Sequence, residues 1–195
     1  MNSIRHLAED CNNLQGFVVF HSTCGGTGSG LSARLLDQLS HDYPKLSKVG
    51  FTILPSGKIS HSAALNTVLS SNALIGNLDV CLTFDNEAIS NIYANRLDVV
   101  NPSFNQLNRL ISQTVSSATS SIRHDGNLNI DLQELTTNLV VYPQIHFVVS
   151  AVGPLYSINR PLYSCISSTE MTLDLYDTSR VMTSCNPRAG LYLAC

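Results

Sequence analysis

Nine mostly small residues, Ser22, Thr23, Cys24, Gly25, Gly26, Thr27, Gly28, Ser29 and Gly30, separate an apolar run at 16–21 from a helical stripe of Leu31, Leu35, Leu36 and Leu39. This stretch constrains the fold most, because a strand must lead into it and an amphipathic helix must lead out. Small side chains let backbone N–H groups come close to an anion, and the helix that follows adds partial positive charge at its N-terminus. Phosphate is therefore the ligand class the stretch suits. A tight strand-to-helix turn that holds no ligand is the alternative.

The same rhythm recurs. Residues 49–54 read as a second strand, followed by a loop at Pro55, Ser56 and Gly57 and a helix over 62–74; residues 78–84 read as a third, followed by a helix capped by Asp85, with Glu87 in its first turn. Alternating strands and helices predict a parallel sheet covered on both faces, and residues 16–21 are apolar on both sides as a buried parallel strand should be. Ligands of such sheets sit at the carboxyl ends of the strands. The glycine loop, the loop over 56–62 and the Asp85-Asn86-Glu87 turn all fall there.

Around this block, Ile4, Leu7, Ala8 and Cys11 predict a helix reaching about Asn12, stopped by Asn13 and Gly16. After Pro102, one long helix is expected over 103–123, with Leu107, Leu110, Ile111, Val115 and Ala118 on one face. Asp125-Gly126 then marks a turn, residues 128–139 a helix, 145–149 a strand, 153–164 a loop rich in Tyr, Ser and Pro, 168–176 a helix and 190–194 a short strand. The domain border falls near His124.

Bulk composition narrows the partners. Eleven Lys and Arg against 14 Asp and Glu give a net charge of −3 with no basic block, which argues against nucleic acid and anionic membrane surfaces. No apolar run is long enough to span a bilayer, and Arg5, Glu9 and Asp10 do not suit a signal peptide. Six cysteines lack metal-ligand spacing, so no metal site is expected; they read as reduced thiols, with Cys11, Cys81 and Cys185 as small buried hydrophobes. His21 and His146, both within strands, are expected to be hydrogen-bonded core groups.

The glycine stretch lacks the Lys-Ser/Thr of a P-loop and the register of a dinucleotide loop. It resembles the signature loop of tubulins. The likeness extends to Leu14-Gln15-Gly16-Phe17, Asp85-Asn86-Glu87-Ala88-Ile89, Leu107-Asn108-Arg109-Leu110-Ile111-Ser112-Gln113, Asp125-Gly126, Thr137-Asn138-Leu139-Val140 and Ile145-His146-Phe147. Within the family the chain is similar to the α class.

That resemblance implies an α/β fold: a partial Rossmann-like parallel-sheet GTPase domain over 1–102, a connecting core helix over 103–124, and a partial α+β intermediate domain over 125–195. It implies GTP, pairing with β-tubulin, head-to-tail assembly, and a place in the cytoplasmic microtubule cytoskeleton. Ser22, Gly25, Gly26, Thr27, Gly28 and Ser29 would surround the phosphates, and His61 would face the ribose. Asn86 and Asn108 would bond the guanine edge, since a carboxamide offers both donor and acceptor. Phe104 stands where the family stacks a tyrosine on the base. Glu134 would be the catalytic carboxylate, acting in trans on the GTP of the next subunit by orienting the attacking water. The family also binds Mg²⁺, through acidic residues that precede the matched stretch, and the likeness stops before the family's C-terminal helices. Strands without their sheet neighbours are expected to leave exposed edges and apolar faces.

Departures are specific. Cys24 replaces a glycine, the stretch over 56–66 lacks the family's acidic residue and proline, and Pro161 stands in a divergent lateral-contact loop. They motivate a rival reading, a tubulin-like chain without nucleotide function that serves as an interaction module for tubulin subunits or chaperones. A free-standing hydrolase using Glu134 in cis is a third.

Overall fold

The computed structural model describes residues 1–55, 57, 59–126, 129–155, 157, 167–186 and 189–191. Its centre is one sheet of β1 (Gly16–Ser22), β2 (Ser47–Leu54), β3 (Val80–Asp85) and β4 (Phe147–Val149), all parallel and in that order. Register runs Phe20 to Phe51, Phe51 to Leu82 and Leu82 to Val148. All six residues of β3 are buried, as its central place requires. The chain is thus a mixed α/β protein built on a parallel sheet, as the alternating pattern predicts.

Helices cover both faces. On one, α2 (Ser32–Asp42) and α3 (His61–Asn77) bring Leu36, Leu74 and Leu78 onto Cys81 and Val19. On the other, α4 (Asn86–Arg96), α5 (Phe104–Ala118) and α7 (Leu132–Leu139) set Ile89, Ile92, Leu107, Leu110 and Leu132 against Val49, Phe51, Val80, Leu82 and Phe84. Between α5 and α7 lies the short α6 (Ser120–Arg123), and α1 (Asn2–Glu9) opens the chain.

Several expectations need correction. Residues 16–21 do not form a strand buried on both faces: β1 is the edge of the described sheet, and Phe20 is 61% exposed. Apolar residues on both sides of a strand do not reveal whether a neighbouring strand pairs with it. The single helix over 103–123 is two, divided at Thr119. There the Thr119 hydroxyl donates to Val115 O, Ser120 to Ser117 O, and Arg123 Nη2 to Ser116 O, so side chains compete for the helical carbonyls. The helix after Gly126 begins at Leu132 rather than 128, and residues 127–128 lie outside the described set. Cys81 is buried, but Cys11 and Cys185 are exposed.

Residues 180–183 are tied to β3 and to the segment that follows β4. Ser150 O accepts from Met182 N–H, Arg180 O accepts from Val152 N–H, and the Thr183 hydroxyl donates to Thr83 O. These bonds seat Met182, fully buried, in the core beside α5. The predicted helix over 168–176 is α8 (Ser168–Leu175), capped by Ser167. Most of the loop over 153–164, with Pro161, lies outside the described residues, as do Cys165, Cys195 and most of the strand expected over 190–194.

Candidate functional site

The loop after β1 does not hang open. Its second half, Thr27–Leu31, is wound as a π-helical turn that runs directly into α2. Ser29 is buried there, and both its N–H and its hydroxyl donate to Gly25 O, at 2.8 and 2.7 Å. Gly28 packs on the strand it left, since a Cβ at that position would stand 2.1 Å from Ser22 O. Packing therefore accounts for Gly28. A Cβ at Gly25, Gly26 or Gly30 would meet nothing within 4 Å. Among the described residues, three glycines thus border open space, which fits a bound group brought close to backbone amides and which no contact with those residues explains.

Other predicted residues gather around this end of the sheet. Asn86 is the first residue of α4, placed by the Asp85 cap, whose carboxylate accepts from Glu87 N–H at 2.9 Å. The Ser184 hydroxyl bonds the other Asp85 oxygen, so the cap is held from two sides. His61 opens α3 and is exposed. Phe104 opens α5 and is 76% exposed, with Asn108 one turn further on. Asn108 lines an open cleft of about 450 Å³ between α5 and the sheet, whose walls include Phe20, Ile53, Ile111 and Val115. Ser22 closes β1, its hydroxyl accepting from Cys24 N–H at 3.4 Å, and Thr27 is exposed on the loop.

Glu134 is elsewhere. It lies exposed in the first turn of α7, and α7 is anchored at the opposite end of the sheet. Gln15 Nε2 donates to Asp131, its Oε1 accepts from Leu132 N–H, and Leu132 packs at Gly16, the first residue of β1. Six strand steps, about 20 Å, separate that end from Ser22. Among the described residues no three metal-ligating side chains converge, so no protein carboxylate cluster for Mg²⁺ is formed by them.

His21 sits just below the loop, its Nε2 3.4 Å from Thr52 Oγ1 and its Nδ1 buried without a partner among the described residues. His146 is similarly held by Pro143 O at 3.2 Å through Nδ1. Burial pushes the His21 pKa below its ordinary 6.5. Between the folded and unfolded values only the unfolded chain takes up the proton, so stability is full above 6.5 and falls as pH drops below it. His21→Gln is expected to flatten that acid-side loss, read as melting temperature from about pH 7 to about pH 5. An unchanged slope would assign the loss to other groups.

Sequence reasoning missed the residues of α3 that touch the loop. Asn66 Nδ2 donates to Cys24 O at 3.2 Å, and Thr67 Oγ1 lies 3.3 Å from Thr23 Oγ1. Their only signal was a polar pair set between the apolar residues 63–65 and 68–69.

Comparison with known proteins identifies the family. Residues 1–94 match the family model for the Tubulin/FtsZ family, GTPase domain, and residues 143–195 match the Tubulin C-terminal domain. The tubulin alpha-2 chain of Eleusine indica is 47% identical over 197 aligned positions that take in the whole of this chain. This chain spans 44% of the length of that relative. With both models matched in order and the α-type relative aligned from end to end of these residues, the chain belongs to the tubulin family, in its α class.

Proposed function

We propose that this chain binds GTP at the carboxyl ends of β1–β3 and acts as an α-type subunit of the cytoplasmic microtubule cytoskeleton, paired with a β-tubulin. The observation that carries the reading is the set of glycines at 25, 26 and 30, which border open space beside a helix start while only Gly28 is claimed by packing. In this reading Gly25 and Gly26 offer amides to phosphate, and Thr27 adds a hydroxyl at the loop surface. Asn86 and Asn108 pair with the guanine edge, Phe104 stacks on the base, and His61 lies on the ribose side. Ser29 acts differently from the motif reading, holding the loop closed through Gly25 O. Mg²⁺ entering with GTP would be held chiefly through the phosphates. The divisions at 102 and 124 remain the working domain limits.

The position of Glu134 supports action in trans. A carboxylate at the far end of β1, a strand length of about 20 Å from the start of the glycine loop, cannot orient water at the same chain's nucleotide, whereas the head-to-tail stacking implied by the family would bring the two ends of neighbouring sheets together. It argues against the cis hydrolase.

The test is equilibrium binding of a fluorescent GTP analogue to the 195-residue chain, with ATP as competitor. Asn108→Ala is expected to reduce the preference for GTP over ATP by tenfold or more, since a site built to bond a base edge loses discrimination when a partner is removed, on the order of 10–100-fold here. Folded protein that binds neither nucleotide would leave the interaction-module reading in its place.

A further inference from the structure

We infer that Asn66 is a positioning residue that aims the glycine loop's amides at phosphate by gripping the peptide before Gly25; the inference rests on the nucleotide reading above. Thr23 is fully buried and anchored to β2, its N–H and its hydroxyl both donating to Ile53 O at 3.2 and 3.4 Å. The next residue, Cys24, presents its carbonyl to α3, where Asn66 Nδ2 donates to it at 3.2 Å. Because the acceptor is a carbonyl, only the carboxamide nitrogen can serve there.

Thr67 also faces the segment, but its one hydroxyl proton has two acceptors, Ala63 O at 2.9 Å and Thr23 Oγ1 at 3.3 Å. The shorter bond lies within α3. Asn66 is therefore the firm link between α3 and the loop.

Its effect follows from the peptide group. The unit joining Cys24 to Gly25 is planar and trans, so its C=O and N–H point in opposite directions. Holding the Cys24 carbonyl toward α3 turns the Gly25 N–H away from α3. That N–H has no hydrogen-bond partner among the described residues, and Gly25 and Gly26 are exposed with open space beside them. One carboxamide thus sets the direction of the first amide available to an anion. It also ties the loop to the helix that begins with His61, so the phosphate side and the ribose side of the proposed site move as one piece.

The experiment compares guanosine with GTP on the 195-residue chain by calorimetry, because the ratio of their dissociation constants isolates what the phosphates contribute. For Asn66→Ala the ratio is expected to fall about five- to tenfold, one hydrogen bond's worth, with guanosine affinity unchanged. Asn66→Asp matches the shape without the donor and is expected to lose at least as much, which keeps the test open if the alanine variant folds poorly. A wild-type ratio in the aspartate variant, or equal losses for guanosine and GTP, overturns the inference. Wild-type protein that binds GTP no better than guanosine overturns the nucleotide reading itself, a distinct result because no variant is involved.

Discussion

Phe84→Ala is expected to lower the free energy of unfolding by about 4 kcal/mol, within the range for truncating a fully buried aromatic. Phe84 has no exposed surface and sits on the central strand, where its ring stacks on Phe51 at 6.3 Å between centroids. Phe84 belongs to one continuous buried cluster drawn from α4, α5, α7, β2 and β3, and so many elements cannot all move inward to fill a space within it. The loss combines the transfer of the ring, the cavity left behind and the ring pair with Phe51. Against a typical domain stability of roughly 5–15 kcal/mol, such a variant stands close to unfolding. Phe20, stacked on the other side of Phe51 at 4.9 Å but 61% exposed on the edge strand, is the control. Phe20→Ala is expected to cost under about 1.5 kcal/mol, since much of its surface is already in water. Urea unfolding followed by circular dichroism measures both; similar losses at the two positions would refute the edge assignment of β1.

Asp174→Ala is expected to cost about 3 kcal/mol by a different route. Arg180 is 2% exposed, and its Nη2 pairs with Asp174 Oδ2 while Nε and Nη1 have no partner among the described residues. Asp174 also lies 3.5 Å from Arg96, which reaches Asp177 at 3.1 Å and the Ser179 hydroxyl at 2.9 Å, so two arginines and two aspartates tie α4 to α8 and the 178–180 turn. Removing Asp174 leaves a buried guanidinium with no acid among the described residues. Breaking a buried pair this way costs roughly 3–5 kcal/mol, and the lower end applies because Asp174 retains about a third of its side-chain exposure. The double variant Asp174→Leu with Arg180→Met, which removes both charges, is expected to recover most of the loss. If the double variant is as unstable as the single, the cost lies in lost packing and not in the stranded charge.

Much of the fold was legible because its signals are local. The βα units at 16–39, 49–74 and 78–96 each carry their own periodicity, and Asp85 announces the start of α4 by a bond across two residues. Family membership was legible for a related reason: short motifs in fixed order survive divergence even where Cys24 and the stretch over 56–66 depart from the pattern. The break at Thr119 was hidden because the apolar stripe continues past it to Ile122 while the Thr119 and Ser120 hydroxyls compete for the carbonyls. Cys11 and Cys185 were misread for want of their surroundings, since a thiol in an apolar phrase is no guide to whether that phrase is covered.

The candidate site divides along the same line. Its chemical types, the small residues of the loop, the carboxamides at 86 and 108 and the carboxylate at 134, stand in the amino-acid order. Their arrangement came from tertiary packing: Gly28 pressed on Ser22 O while its neighbours face open space, Ser29 turned inward, Asn66 reaching across from α3, and Glu134 at the far end of the sheet. A hydrophobic period and a helix cap are decided within a few residues of chain. Which strand lies at the edge, which glycine is spent on packing and which end of the sheet a carboxylate occupies depend on segments tens of residues apart, and only the folded sheet brings those together.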